Sequence, residues 1–284
     1  MLIRLGYDIR FAIGGTAPII AMLNVHPSRA ADLLEADQLG VEPAVDMQYY
    51  ADSFGNTCCR LVPEPGPLRL WNSTLIEDSG EPDAVAPEAR QHAVEDLPVE
   101  TLRYLLASRY CEVDLMSNVA VELFSGVAAG WARVQAVCDW VHNKVMFGYQ
   151  FARPTKSALD VYTERTGVCR DFQHLAITFC RCLNIPARYA TGYLGDIGVP
   201  ISPAPMDFSA WFEVFLEGRW WTFDARHNIP RIGRVLMATG RDAADVAITT
   251  SFGSSVLTGF QVITDEVAAQ AQPPTHVDEQ AFHH

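Results

Sequence analysis

Apolar and polar positions change period along the 284-residue chain, and the changes mark out its elements. Ile3, Leu5, Tyr7, Ile9 and Phe11 alternate with Arg4, Gly6, Asp8 and Arg10, the two-residue period of a half-buried strand. Gly14 and Gly15 supply a turn, and the apolar run Ala17 to Val25 is predicted as the hairpin partner of that strand. Short strand-like runs broken by Gly, Pro, Asn and Asp continue to about residue 90, which predicts a small antiparallel β domain, sandwich-like, over 1–90. Glu77 to Asp96 is acidic, rich in Pro, Ala and Gly, and without period, as a linker would be.

From Pro98 the period becomes helical, with Leu102, Leu105 and Leu106 following a first turn that holds Pro98 and Glu100. Trp131, Val134, Val137, Cys138, Val141 and Val145 then form one stripe of an amphipathic helix. Cys138 and His142 share a face one turn apart, but no third ligand accompanies them, so both are assigned to packing and no metal is expected. Thr166-Gly167 is a turn, and Phe172, Leu175, Ala176, Phe179 and Leu183 predict a buried helix that starts near Cys169 and stops before Pro186.

Asp207 to Asn228 is dense in aromatic and β-branched residues around Glu217-Gly218, a turn dipeptide, and predicts a hairpin. With those two residues as the loop, Leu216 pairs with Arg219, Trp211 faces Asp224, and Ser209 is a diagonal neighbour of Asp224 on the same face. Gly240 to Asp245 reads as a turn leading to a helix start, and 265–284 as a weakly packed tail. The organisation expected is therefore 1–90 β domain, 91–264 α+β core and 265–284 tail.

Composition narrows the function. The chain holds 34 acidic against 21 basic side chains, a net charge of −13, which argues against non-specific binding to nucleic acid or to a membrane surface. No apolar segment reaches the ~18 to 20 residues of a membrane helix. Seven cysteines, an odd number without C-x-x-C spacing, suit a reducing, cytoplasmic setting and mostly buried thiols, with neither a disulfide framework nor a cofactor indicated.

One thiol stands apart. Cys169 falls in the first turn of its helix, where unpaired N–H groups and the positive dipole end favour a thiolate. Arg170 and Asp171 beside it imply a partly exposed site. His174, five residues on and about 140° round the helix, cannot be its base.

Gly167-Val168-Cys169-Arg170-Asp171-Phe172 heading a helix, then Ala210-Trp211-Phe212-Glu213-Val214, then Trp221-Thr222-Phe223-Asp224, resembles the core of the bacterial transglutaminase-like superfamily over roughly 95–260. The resemblance implies a papain-like core, a small β domain before it, and acyl transfer on peptide or protein amides through a cysteine, a histidine and an aspartate. Carried over by position, the nucleophile is Cys169 and the orienting carboxylate is Asp224, while the histidine position holds Ser209.

Serine does not take a proton from a thiol at neutral pH. Three alternatives stay open. The chain keeps the fold as a peptide- or protein-binding module; or His227 replaces the missing base, against which strand parity stands unless the strand ends at Asp224; or Cys169 works with a water held by Asp224 or Asp207. Trp211, Arg226 and Asp207 are expected to line the cleft, with Arg226 occupying the vacated histidine space and pairing with Asp224. Arg231, Arg234 and Arg241 are read as local ion-pair partners.

Overall fold

The computed structural model of the chain describes residues 1–267. In chain order it forms β1 (Leu2–Ile13), β2 (Ile19–Ala21), β3 (Gly40–Glu42), β4 (Met47–Ala51), β5 (Thr57–Leu61), β6 (Gly66–Glu77), α1 (Val113–Phe124), α2 (Trp131–Lys144), β7 (Met146–Phe147), α3 (Ala158–Glu164), β8 (Thr166–Gly167), α4 (Cys169–Cys182), β9 (Ala187–Leu194), β10 (Ser209–Leu216), β11 (Arg219–Phe223), β12 (Arg234–Gly240), β13 (Thr249–Ser251) and β14 (Ser255–Val267). The fold is α+β, with antiparallel four-stranded sheets and a helical layer, as the sequence implies.

Two sheets, ordered β14-β1-β6-β3 and β13-β2-β5-β4, enclose one apolar core that includes Ile3, Leu5, Ile9, Ile19, Leu61 and Leu70. The expected hairpin between β1 and β2 does not form. β1 pairs instead with β6, Ile3 opposite Ile76, and with β14, Leu5 opposite Thr264. The 12 residues of β1 are matched by 12 in β6 and 13 in β14, whereas β2 offers three after Pro18. Proline has no N–H to give a ladder, so the longer partners satisfy more of the backbone of β1.

β13 and β14 follow the core in sequence yet pair with β2 and β1. The boundary expected at 264 thus falls inside a strand of the β unit, and 268–284 of the expected tail lie outside the described residues.

The third sheet, β11-β10-β9-β12, is shared between two cores. Its Ala187, Tyr189, Phe212 and Val214 join α1, α2 and α4 in one, and its Tyr193, Val235 and Met237 join the sandwich in the other. The helix expected after Pro98 is a 3₁₀ segment, Val99–Leu105, because only Thr101 and Tyr104, three apart, find cover while Leu102 and Leu106 stay exposed. The helix start expected after Gly240 is a turn, held by the Asp245 carboxylate on the N–H and guanidinium of Arg241. Among the described residues no helix is long and apolar enough to cross a membrane.

Candidate active site

α4 begins where the 3.6-residue pattern placed it, with Cys169 as its first residue and Val168 before it in extended conformation. The Val168 N–H donates to Oδ2 of Asp171 at 2.9 Å, which closes the first turn around the cysteine. Gly167 is required there: a Cβ on it would stand 2.6 Å from the Asp171 Cβ. Cys169, at the start of α4, lines a cavity of about 370 Å³.

That cavity brings Cys169, Asp207, Ser209, Arg226 and His227 together, with Tyr149 on its wall. Burial pushes the Cys169 thiol up to about 11, with Arg226 pulling it down and Asp207 pushing it further up. Desolvation thus works against the thiolate expected at the helix end.

The hairpin forms in the predicted register, Leu216 opposite Arg219 and Phe212 opposite Phe223. Glu217 (φ 48°) and Gly218 (φ 79°) are both left-handed, the two-residue turn that matches strand twist. β11 ends at Phe223, and the chain then curls so that the Asn228 N–H donates to the Asp224 carbonyl at 2.8 Å. This is the condition under which the parity objection to His227 lapses. Nδ1 of His227 lies 2.8 Å from Oδ2 of Asp224, and the backbone N–H groups of Arg226 (2.9 Å) and His227 (3.1 Å) donate to Oδ1.

Two residues hold Asp224 from other elements: Gln173, which the sequence reading did not single out, and Arg234, expected as a local ion-pair partner. Gln173 Nε2 donates to Oδ1 at 3.0 Å and to the Ala210 carbonyl at 3.2 Å, while its Oε1 accepts the Ala225 N–H at 3.1 Å. Arg234, on β12, donates from Nη2 to Oδ2 at 3.0 Å and from Nε to Asp83 at 2.8 Å. Burial opposes the charge on Asp224, but Arg234 and His227 outweigh it and hold the carboxyl well below the usual carboxylate range. An ionised carboxylate only accepts, so the nitrogen of His227 that faces it, Nδ1, carries a proton, and in the neutral imidazole Nε2 is then the acceptor.

Ser209 lies on the cavity wall, 9% exposed, and its carbonyl accepts the Thr191 hydroxyl at 3.0 Å. Trp211, expected to line the cleft, is instead buried with the Arg234 guanidinium 5.2 Å from its ring. Arg226 does line the cavity, but it does not pair with Asp224, because Arg234 holds that oxygen; its guanidinium lies 3.9 Å over the Phe147 ring. Cys138 is core, whereas His142 is exposed and donates from Nδ1 to the Arg226 carbonyl at 2.7 Å, which anchors the turn that carries His227. His174 is buried away from the cavity, stacked 4.9 Å from Tyr110, with Nε2 accepting the Ala243 N–H. Gln173 was legible in principle, one helical turn after Cys169 on the same face. Arg234, expected as an ion-pair partner, arrives from a separate strand, and no local pattern assigns it to Asp224.

A model of the transglutaminase-like superfamily core matches residues 117–225, which include Cys169, Ser209 and Asp224 and stop just short of His227. A candidate cysteine protease from Cytophaga hutchinsonii, known from a 1.9 Å crystal structure, is 30% identical with a TM-score of 0.81, the match covering 96% of this chain and 93% of that one. The periplasmic domain of TgpA from Pseudomonas aeruginosa is 16% identical with a TM-score of 0.39, covering 79% and 88%. An uncharacterised protein of Mycobacterium leprae is 29% identical over 117 residues, 40% of this chain, and the match spans only 42% of that relative's length. With a similar chain matched over nearly its whole length and the motif-bearing core in place, the protein belongs to the transglutaminase-like superfamily.

Proposed function

We propose that the protein is a cysteine protease or amidase acting on peptide or protein amides, with Cys169 as nucleophile, His227 as general base and Asp224 as the group that orients it. The observation that carries this reading is the 2.8 Å contact between His227 Nδ1 and Asp224 Oδ2, made by a histidine that shares a cavity wall with Cys169. The thiol proton passes to His227 Nε2 as sulfur attacks the amide carbonyl. The imidazolium is stabilised by Asp224 and returns the proton to the departing amine, leaving a thioester on Cys169. Water, deprotonated by His227, then hydrolyses the thioester and frees the acid. Ser209 takes no part in proton transfer. The name given to the Cytophaga hutchinsonii relative agrees with this reading, and the unpaired cysteines support a reducing, cytoplasmic setting.

A small activated ester tests it. With p-nitrophenyl acetate the full chain is expected to release a burst of p-nitrophenolate and to gain one acetyl group on Cys169 by mass spectrometry. Cys169→Ala abolishes both, His227→Ala slows acylation by about 100-fold or more, and Ser209→Ala changes it little. Equal acylation rates with and without His227 would overturn the assignment of the base.

A second reading, a binding module without turnover, is favoured by the Cys169 thiol pushed up to about 11 and by serine in the ordinary histidine position. It predicts no acetyl-enzyme at all.

A further inference from the structure

We propose that the Cys169 cavity selects substrates carrying a cationic group, an ammonium or a guanidinium, placed to pair with Asp207. The proposal rests on Cys169 being the reactive thiol. Five charged or titratable side chains besides the thiol and Tyr149 line the cavity: Asp196, Asp207, Arg226, His227 and Arg231. Four already have work within the fold. His227 is held by Asp224. Asp196 accepts the Ser202 N–H at 2.7 Å and faces the Arg231 guanidinium at 3.9 Å, and Arg231 donates to the Gly195 carbonyl at 2.8 Å. Arg226 covers the Phe147 ring.

Asp207 is different. It is half-buried, and among the described residues no side chain hydrogen-bonds or ion-pairs with it. Burial opposes its ionisation, and the Phe208 backbone N–H and the nearby Arg226 ease it, yet Arg226 forms no ion pair with it. A partly desolvated carboxylate with no cation paired to it is costly, and the cost is reduced by a cation brought in by a ligand.

Position makes that ligand relevant to the chemistry. Asp207 sits two residues before β10, and its negative charge works against a thiolate on Cys169. A cation on Asp207 offsets this opposition, so that Arg226 acts on sulfur against burial and Asp171 alone. Substrate binding then stabilises the charge that develops on Cys169, so the interaction strengthens toward the transition state. An anionic substrate group would instead add to the charge of Asp207.

Thiol-directed methanethiosulfonates read this directly, since the Cys169 thiolate displaces methanesulfinate and forms a mixed disulfide with whichever group the reagent carries. The 2-aminoethyl (cationic), methyl (neutral) and 2-sulfonatoethyl (anionic) reagents are compared on the full chain at low salt, following the Cys169-containing peptide by mass spectrometry. Relative to free cysteine, the cationic-to-neutral rate ratio is expected to be raised about tenfold, to fall to about one in Asp207→Asn, and to persist in Asp207→Glu. A ratio unchanged in Asp207→Asn, or a preference for the anionic reagent, overturns the proposal. The ratio requires no amide turnover, so its failure is separate from a failure of the acetyl-enzyme experiment.

Discussion

His227 Nδ1 and Asp224 Oδ2, three positions apart in the chain, lie 2.8 Å from each other because β11 ends at Phe223 and the backbone reverses directly after it. In a continued strand residues 224 and 227 would point to opposite faces. The turn sets both side chains on one side and gives Asp224 two backbone N–H donors of its own. The turn thereby presents an imidazole that contacts Asp224 and lines the same cavity as Cys169.

Arg234→Met is expected to destabilise the protein by about 3 kcal/mol, since it leaves a buried carboxylate without its guanidinium partner. Thermal unfolding monitored by circular dichroism checks this. The pH dependence carries a sign: the folded-state pKa of Asp224 lies below its unfolded value, so its contribution is fully present above about pH 4 and is lost as pH falls below that. Asp224→Asn, less stable at neutral pH, is expected to show a shallower loss of melting temperature between about pH 4 and pH 2.

Gln173→Leu removes three buried hydrogen bonds that tie α4 to Ala210, Asp224 and Ala225. A loss of about 2 kcal/mol is expected in urea unfolding, because the partner groups are left buried and unsatisfied. Acylation of Cys169 is expected to fall as well, since helix and turn lose their common fastener.

Restoring histidine at the strand position does not repair anything if His227 is already the base. Ser209→His is expected to leave Cys169 acetylation unchanged or lower, because Asp224 Oδ2 is occupied by His227 and Arg234. In a His227→Ala background the same substitution has a freed oxygen to meet. A gain of tenfold or more from Ser209→His alone would instead identify Ser209 as a catalytic lesion.

Alkylation of Cys169 by iodoacetamide is expected to keep rising with pH beyond 9 toward about 11, where an ordinary thiol has levelled off. Arg226→Ala moves the inflection up, since it removes the charge that favours the thiolate, and Asp207→Asn moves it down. Mass-spectrometric labelling across the pH range measures both shifts; an inflection at or below pH 8 would show that desolvation does not govern this thiol.

The sequence alone determined the elements whose cause is local. The start of α4 at Cys169, its end before Pro186, the Glu217-Gly218 turn and the hairpin register follow from side-chain period and turn chemistry within a few residues. Tertiary structure decided the rest. β1 takes β6 and β14 as neighbours rather than β2 because ladder length and shared burial select among distant strands, and no local signal ranks them. The fate of His227 turned on where β11 stops, a matter of one residue. The charge states are least local of all. Asp224 is held by Arg234 from β12 and Gln173 from α4, and Cys169 answers to burial, Arg226 and Asp207 together, because electrostatics sums over groups that only the completed fold brings into one low-dielectric place.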